Sequence, residues 1–121
     1  MAISLIPQPP VDLQHLARYT GGDPVLDSEI LRLFVKQSAE LMAELPAALA
    51  TGDRERWHHI AHSLKGAARG IGAFEFADIA AEADALNPVG APGIASELIS
   101  KLQMRMAAVH DFVQDFAVAA T

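Results

Sequence analysis

The stretch WHHIAHSLKGAARGIG, residues 57–72, decides the fold. Its apolar residues recur at intervals of three and four, the spacing that collects side chains on one face of an α-helix. With a rotation of about 100° per residue, the apolar side chains fall within about 60° of one direction. They are Trp57, Ile60, Ala61, Leu64, Ala68 and Ile71. The stretch therefore predicts an amphipathic helix whose apolar stripe faces a core.

The polar side of this helix carries a histidine and its charged neighbours. His62 follows Trp57 by five residues, which turns its side chain about 140° away from that of Trp57. His59 points further round the helix. The outward side that holds His62 also carries His58, Lys65, Gly66 and Arg69. We expect His62 to face solvent among basic neighbours.

The rest of the chain repeats the helical spacing, and no segment alternates like a strand. Asp12 and Asp23 precede apolar periodic segments and are predicted N-caps, whereas Gly21-Gly22 should end the first helix. We expect Pro46 to kink the second helix near its end. The predicted helices cover residues 12–22, 23–46, 53–72, 73–86 and, after a loop at 87–93, 94–116. The fold class is all-α, an antiparallel four-helix bundle with the short first helix as a cap.

Each of the other predicted helices should bury one face. The expected inward residues are, in the first helix, Leu13, Leu16 and Tyr19; in the second, Leu26, Ile30, Leu33, Phe34, Gln37, Leu41 and Leu45; in the fourth, Phe74, Phe76, Ile79, Ala80, Ala83 and Leu86; and in the fifth, Ile94, Leu98, Leu102, Met106, Val109, Val113 and Phe116. Gln37 is the polar member of its stripe and needs a partner if it is buried.

Composition bounds the function. A chain of 121 residues with 51% hydrophobic content is expected to form a single domain over residues 1–121, with residues 1–10 as an extended, proline-containing lead-in. A net charge of −6 argues against nucleic-acid binding, which needs a basic surface. The absence of cysteine and of any secretory or membrane-spanning segment predicts a soluble, cytoplasmic protein without a membrane partner.

The outward face suggests chemistry on the imidazole. Gly66 in an exposed helix costs about 1 kcal/mol relative to alanine, which we interpret as clearance for another protein near His62. Lys65 could neutralise an anion attached to the imidazole, and a neutral imidazole is a nucleophile at cytoplasmic pH. These features predict phosphoryl transfer onto the nitrogen of His62.

Residues 61–73, AHSLKGAARGIGA, closely resemble the signature of histidine-containing phosphotransfer (HPt) domains, and the likeness extends over essentially the whole chain. The resemblance implies that His62 accepts a phosphoryl group from a receiver-domain aspartate and passes it to another receiver. It also implies that Lys65 contacts the phosphate, that Gly66 gives the receiver access and that Gln37 hydrogen-bonds near the histidine. Its partners would be response-regulator receivers and a hybrid histidine kinase.

Further residues are expected to touch the partner: His58, Ser63 and Arg69, of which Arg69 departs from the small or neutral residue common in the family. No cofactor is expected, because Mg²⁺ would lie on the receiver. The chain lacks a phosphate-binding loop motif, so no autokinase activity is predicted. We expect a stand-alone monomer, because a dimer would bury the active face.

Two alternatives compete with this interpretation. His58 and His62, one helical turn apart, could supply two nitrogens to a metal ion, with Glu55 or a neighbouring helix completing the site, although Lys65 would repel a cation. The same face could instead dock a receiver without being phosphorylated, and His62 would then be replaceable.

Overall fold

The computed structural model describes residues 9–120, with the side chains of Val118 and Ala120 excepted. Within this range the regular structure is entirely helical, which confirms the predicted all-α class. Most of the expected lead-in, residues 1–8, lies outside the described residues. The helices are α1 (Leu13–Thr20), α2 (Pro24–Met42), α3 (Leu45–Thr51), α4 (Arg54–Ile71), α5 (Phe74–Ala85) and α6 (Pro92–Ala120).

Aspartate side chains begin three of the helices. The carboxylate of Asp12 accepts hydrogen bonds from the first backbone N–H groups of α1, and that of Asp23 does the same for α2. Asp53 caps α4 by accepting a hydrogen bond from the backbone N–H of Arg56 at 3.1 Å. These bonds satisfy N–H groups that have no partner within the helix. The predicted caps at Asp12 and Asp23 are confirmed, as is the end of α1 at Gly21.

Pro46 divides the predicted second helix instead of kinking it. The helix α2 ends at Met42, and α3 begins at Leu45 with Pro46 in its first turn. A proline has no N–H to donate to the carbonyl four residues earlier, which here belongs to Met42, and its ring crowds that carbonyl. The same residue is well tolerated in the first turn of a new helix.

The helix α4 places its apolar stripe in the core as predicted. Trp57, Ala61 and Leu64 are completely buried, and the other stripe residues are buried as well. The indole Nε1–H of Trp57 donates a hydrogen bond to the backbone oxygen of Ala83 at 2.8 Å, so the one polar group of this side chain is satisfied inside the core. The bond ties α4 to α5 near the end of α5.

Some predicted inward residues are wrong. Tyr19, Leu26, Leu33, Gln37, Phe74 and Ile94 are exposed in the structure. A spacing of three and four defines a broad apolar sector, but neighbouring helices cover only its centre. Leu26, Phe74 and Ile94 also lie in the first turns of α2, α5 and α6, where fewer neighbouring side chains pack against them.

The helices that carry the core pack side by side. The helix α4 contacts α5 and α2, while α6 contacts α2 and α5, and the short α1 lies against α2 and α4. Within the described range, no helix is long and apolar enough to cross a membrane. The arrangement leaves the outer surface of α4 free over the turn that contains His62.

The connection between α4 and α5 depends on Gly72. Its φ of 88° lies in the left-handed region, and a Cβ at this position would lie 2.6 Å from the backbone oxygen of Asp12. The backbone N–H of Asp12 also donates a hydrogen bond to the Gly72 oxygen at 2.9 Å. Gly72 therefore lets the chain turn sharply and lets the start of α1 approach it closely.

Candidate functional site

His62 stands on the outer surface of α4, as the helical rotation predicted. Its side chain is 73% exposed, whereas the preceding Ala61 is completely buried. Because α4 is fixed by its buried stripe, the base of the imidazole is held by a rigid helix while the ring remains open to solvent. The ring is therefore accessible to a macromolecular partner.

An aspartate of α5 joins His62 to Lys65. The Nζ of Lys65 donates a hydrogen bond to Asp84 Oδ2 at 2.9 Å. The Nδ1 of His62 lies 3.4 Å from the same oxygen. The Nδ1 of His58 lies 3.6 Å from the other oxygen, Oδ1. One carboxylate thus collects three side chains of α4.

The charge of this cluster is set by Asp84 and Lys65. Both side chains are about four-fifths buried, with exposures of 22% and 21%. The hydrogen bond from Lys65 lowers the pKa of Asp84 below its usual value, His62 contributes in the same direction, and partial burial opposes them. Asp84 is therefore an anion at neutral pH, and an ammonium group lies one helical turn from the exposed imidazole.

Gly66 leaves open space beside His62. A Cβ built on this glycine would meet no atom within 4 Å, and the residue is exposed. Nothing inside the described structure therefore requires a glycine here, and its backbone conformation is an ordinary helical one. The structure is compatible with the prediction that the glycine serves an external partner.

Gln37 lies beside α4 on the neighbouring helix. It lines a groove between α2 and α4 together with Ser63 and Ala67. Gln37 is exposed, and its amide forms no hydrogen bond within residues 9–120. The expected bond near the histidine is therefore not seen, and a role for Gln37 at the site stays a prediction.

The other residues predicted to touch a partner surround His62. Ser63 is half-buried and Arg69 is exposed in the last turn of α4. His58 is 41% exposed and lines an open depression with His59 and His62. Within the described range, no group of three or more His, Cys, Asp or Glu side chains is arranged to hold a metal ion. No donor set there favours the metal alternative.

The sequence analysis missed Asp84. It considered only a basic residue near the end of this helix, whereas the structure places a carboxylate there. A signal was present, because two helices joined by the short turn at Gly72 run back along each other. Residues at similar distances before and after that turn then face one another, which brings Asp84 toward the His58 to Lys65 segment.

The fold and the site together define a class of protein. It is an all-α protein that presents one solvent-facing histidine on a rigid helix, with a lysine beside it and a glycine one turn away. The described residues of the site offer a nucleophile and a cation.

Comparison with known proteins identifies the family. The family model for the Hpt domain matches residues 29–112. A crystal structure of histidine-containing phosphotransfer protein B (HptB) from Pseudomonas aeruginosa PAO1 is similar, with 30% sequence identity and a TM-score of 0.79. The match covers 91% of this chain and 96% of that chain. A search of curated proteins gave no match.

The chain belongs to the Hpt domain family. Proteins of this family are phosphocarriers of phosphorelays and interact with response-regulator receiver domains and kinases. Membership therefore gives the chain a phosphotransfer role in two-component signalling.

Proposed function

We propose that the protein accepts a phosphoryl group on His62 from the aspartate of one receiver domain and passes it to the aspartate of another. The observation that carries the proposal is the exposed His62 imidazole, anchored by a buried helix face, with the Lys65 ammonium held nearby by Asp84. Phosphoryl transfer requires positioning and charge neutralisation more than covalent machinery. This site supplies both.

Each neighbouring residue receives a role in this proposal. Lys65 offsets the negative charge of the phosphoryl group, and Gly66 leaves room for the receiver backbone. His58, Ser63 and Arg69 are the proposed partner-binding residues, and they are at least partly exposed around the nucleophile. Gln37, which lines the groove next to Ser63, is proposed to meet the phosphoryl group or the receiver only in the complex.

The remaining chemistry belongs to the partner. We propose that Mg²⁺ and the acidic pocket that holds it are supplied by the receiver, and that the chain binds no cofactor of its own. The sequence contains no phosphate-binding loop, which supports a carrier without autokinase activity. A hybrid histidine kinase would feed the relay, and response regulators would receive its output.

The architecture supports this assignment. We propose that α2, α4, α5 and α6 form an antiparallel four-helix bundle with α1 as a cap, because each of the four contacts two of the others in a closed ring. Such a bundle would hold the nucleophile as a single rigid domain. We further propose a cytoplasmic monomer, since the exposed face must meet different receivers in turn.

The test uses a receiver phosphorylated beforehand with a radioactive label. The purified chain should gain an acid-labile, base-stable label, and His62→Gln should abolish it. Lys65→Ala should slow labelling by about tenfold, because a hydrogen bond to a charged group stabilises by about 1.5–3 kcal/mol, while the fold stays intact. The matched control is His59→Gln, which makes the same change at an exposed neighbour on the same helix.

Failure of the parent chain to gain label from any of several receivers would overturn the proposal. If those receivers nevertheless bound the chain, and His62→Gln bound equally well, the protein would be a docking adaptor instead. Zinc titration by calorimetry addresses the metal alternative, which predicts tight binding that His58→Ala removes.

A further inference from the structure

The Asp84 carboxylate uses its oxygens in an unequal way. Oδ2 lies within hydrogen-bond distance of both the His62 ring and the Lys65 ammonium, while Oδ1 faces His58 at 3.6 Å. Asp84 is the last acidic residue of α5, and its neighbour Ala83 is fixed by the indole of Trp57. The carboxylate is therefore held in place from its own helix.

The contact with His62 decides which ring nitrogen carries the proton. An ionised carboxylate can only accept hydrogen bonds, so the partner nitrogen Nδ1 must donate. A neutral imidazole has one N–H, and with that proton on Nδ1 the lone pair lies on Nε2. The ring is 73% exposed, and its Nδ1 edge is the edge turned toward Asp84. Nε2 is then the free nucleophilic nitrogen.

We infer that Asp84 is a positioning residue for phosphoryl transfer at His62, acting through the Nδ1 proton of the ring and through the Lys65 ammonium. The inference rests on the proposed function, which assigns no role to Asp84. It predicts that the phosphoryl group is carried on Nε2.

The reaction balances without another reactant. The Nε2 lone pair attacks the phosphorus of the receiver's aspartyl phosphate, and the bond between phosphorus and the carboxylate oxygen breaks. Its electron pair leaves with the receiver's carboxylate. The His62 ring, now bonded to phosphorus and still protonated on Nδ1, carries a positive charge. The Asp84 carboxylate 3.4 Å away stabilises that charge, as a buried aspartate does for a catalytic imidazolium.

Lys65 is held ready by the same carboxylate. Its Nζ lies 2.9 Å from Asp84 Oδ2, so the long, flexible side chain is already folded toward the imidazole before any anion arrives. Holding the ammonium there reduces the conformational entropy that is lost when it contacts a phosphoryl oxygen. Asp84 thus positions both the nucleophile and the cation that neutralises its cargo.

The test begins with the unphosphorylated protein and needs no receiver. Nitrogen-15 NMR of the His62 ring at a pH where the ring is neutral should find the proton mainly on Nδ1 in the parent chain. In Asp84→Ala it should move mainly to Nε2, which imidazole prefers without a partner. Asp84→Asn keeps an acceptor oxygen but loses the charge, and should retain the Nδ1 proton.

The kinetic arm uses phosphoramidate, a small phosphodonor. Labelling of His62 should slow by about tenfold to a hundredfold in Asp84→Ala, the range expected for a hydrogen bond to a charged group. Asp84→Asn should also be slower than the parent, because it cannot offset the ring charge. The control is Glu82→Ala, which removes an exposed carboxylate turned about 200° away on α5. It should match the parent in both tautomer and rate.

An unchanged tautomer in Asp84→Ala, or labelling that is equal to or faster than that of the parent, would overturn the inference. Circular dichroism verifies that each variant is folded before it is compared. Failure of receivers to label a parent chain that shows the Nδ1 proton and reacts with phosphoramidate would count against the proposed function alone.

Discussion

Replacing Gly66 with alanine should separate stability from phosphoryl transfer. The residue lies inside α4, is exposed, and a Cβ there meets no atom within 4 Å. Alanine should therefore stabilise the fold by about 1 kcal/mol, the difference in helix propensity between the two residues. Unfolding entropy is about 2.1 cal/mol/K per residue, or about 0.25 kcal/mol/K for 121 residues, so the melting temperature should rise by about 4 °C.

Transfer from a receiver should respond in the opposite direction. Side chains four residues apart on a helix have Cβ atoms about 6 Å from each other, so the new methyl group lies in the path of a protein that approaches His62. An overlap of this kind costs about 1–3 kcal/mol, and the initial rate of label transfer should fall about tenfold or more. Phosphoramidate needs less clearance and should label the variant at nearly the parent rate.

The matched control is Gly70→Ala. Gly70 is also exposed in α4 with open space around it, but it lies two turns from His62. This variant should gain stability and keep the parent's transfer rate. The reasoning is refuted if Gly66→Ala lowers the melting temperature, or if it accepts the label from a receiver as fast as the parent does.

Two other measurements test the interpretation of the fold and the site. Gly72→Ala should lower the free energy of unfolding by about 2 kcal/mol, because it strains a left-handed backbone position and places a Cβ 2.6 Å from the Asp12 oxygen; an unchanged urea midpoint would contradict this account. The lowered pKa of Asp84 means that its carboxylate stabilises the fold above the ordinary pKa of 3.8 and that this contribution is lost as the pH falls through the lowered pKa. The parent should therefore exceed Asp84→Asn by about 1 kcal/mol at pH 7 and lose this advantage on acidification, and an advantage that grows in acid would argue against the ion pair.

The helix that carries the site was predictable from the sequence because it is defined by local rules. Its cap at Gly72, its buried stripe around Trp57 and the outward direction of His62 all follow from a rotation of about 100° per residue. The peripheral faces were less predictable. Leu33 and Phe74 continue apolar stripes, but their exposure depends on how far a neighbouring helix reaches.

Asp84 could not be found by the same rules. Its contact with Lys65 joins residues of two different helices, and it depends on the axial register between α4 and α5. Periodicity gives the face of each helix but does not give this register, which is set by side-chain packing across the pair. Asp84 was visible in the sequence only as one more acidic residue of an acidic chain.

A buried hydrogen bond connects that register to the site. The indole of Trp57 donates to the backbone oxygen of Ala83, and the next residue is Asp84. Because a buried donor without a partner costs about 1–3 kcal/mol, sliding α5 along α4 would break this bond at a large cost and would move the carboxylate away from His62. The core of the α4–α5 pair therefore does more than stabilise the fold. It fixes, through Ala83, the position of the anion that holds the imidazole and the ammonium together.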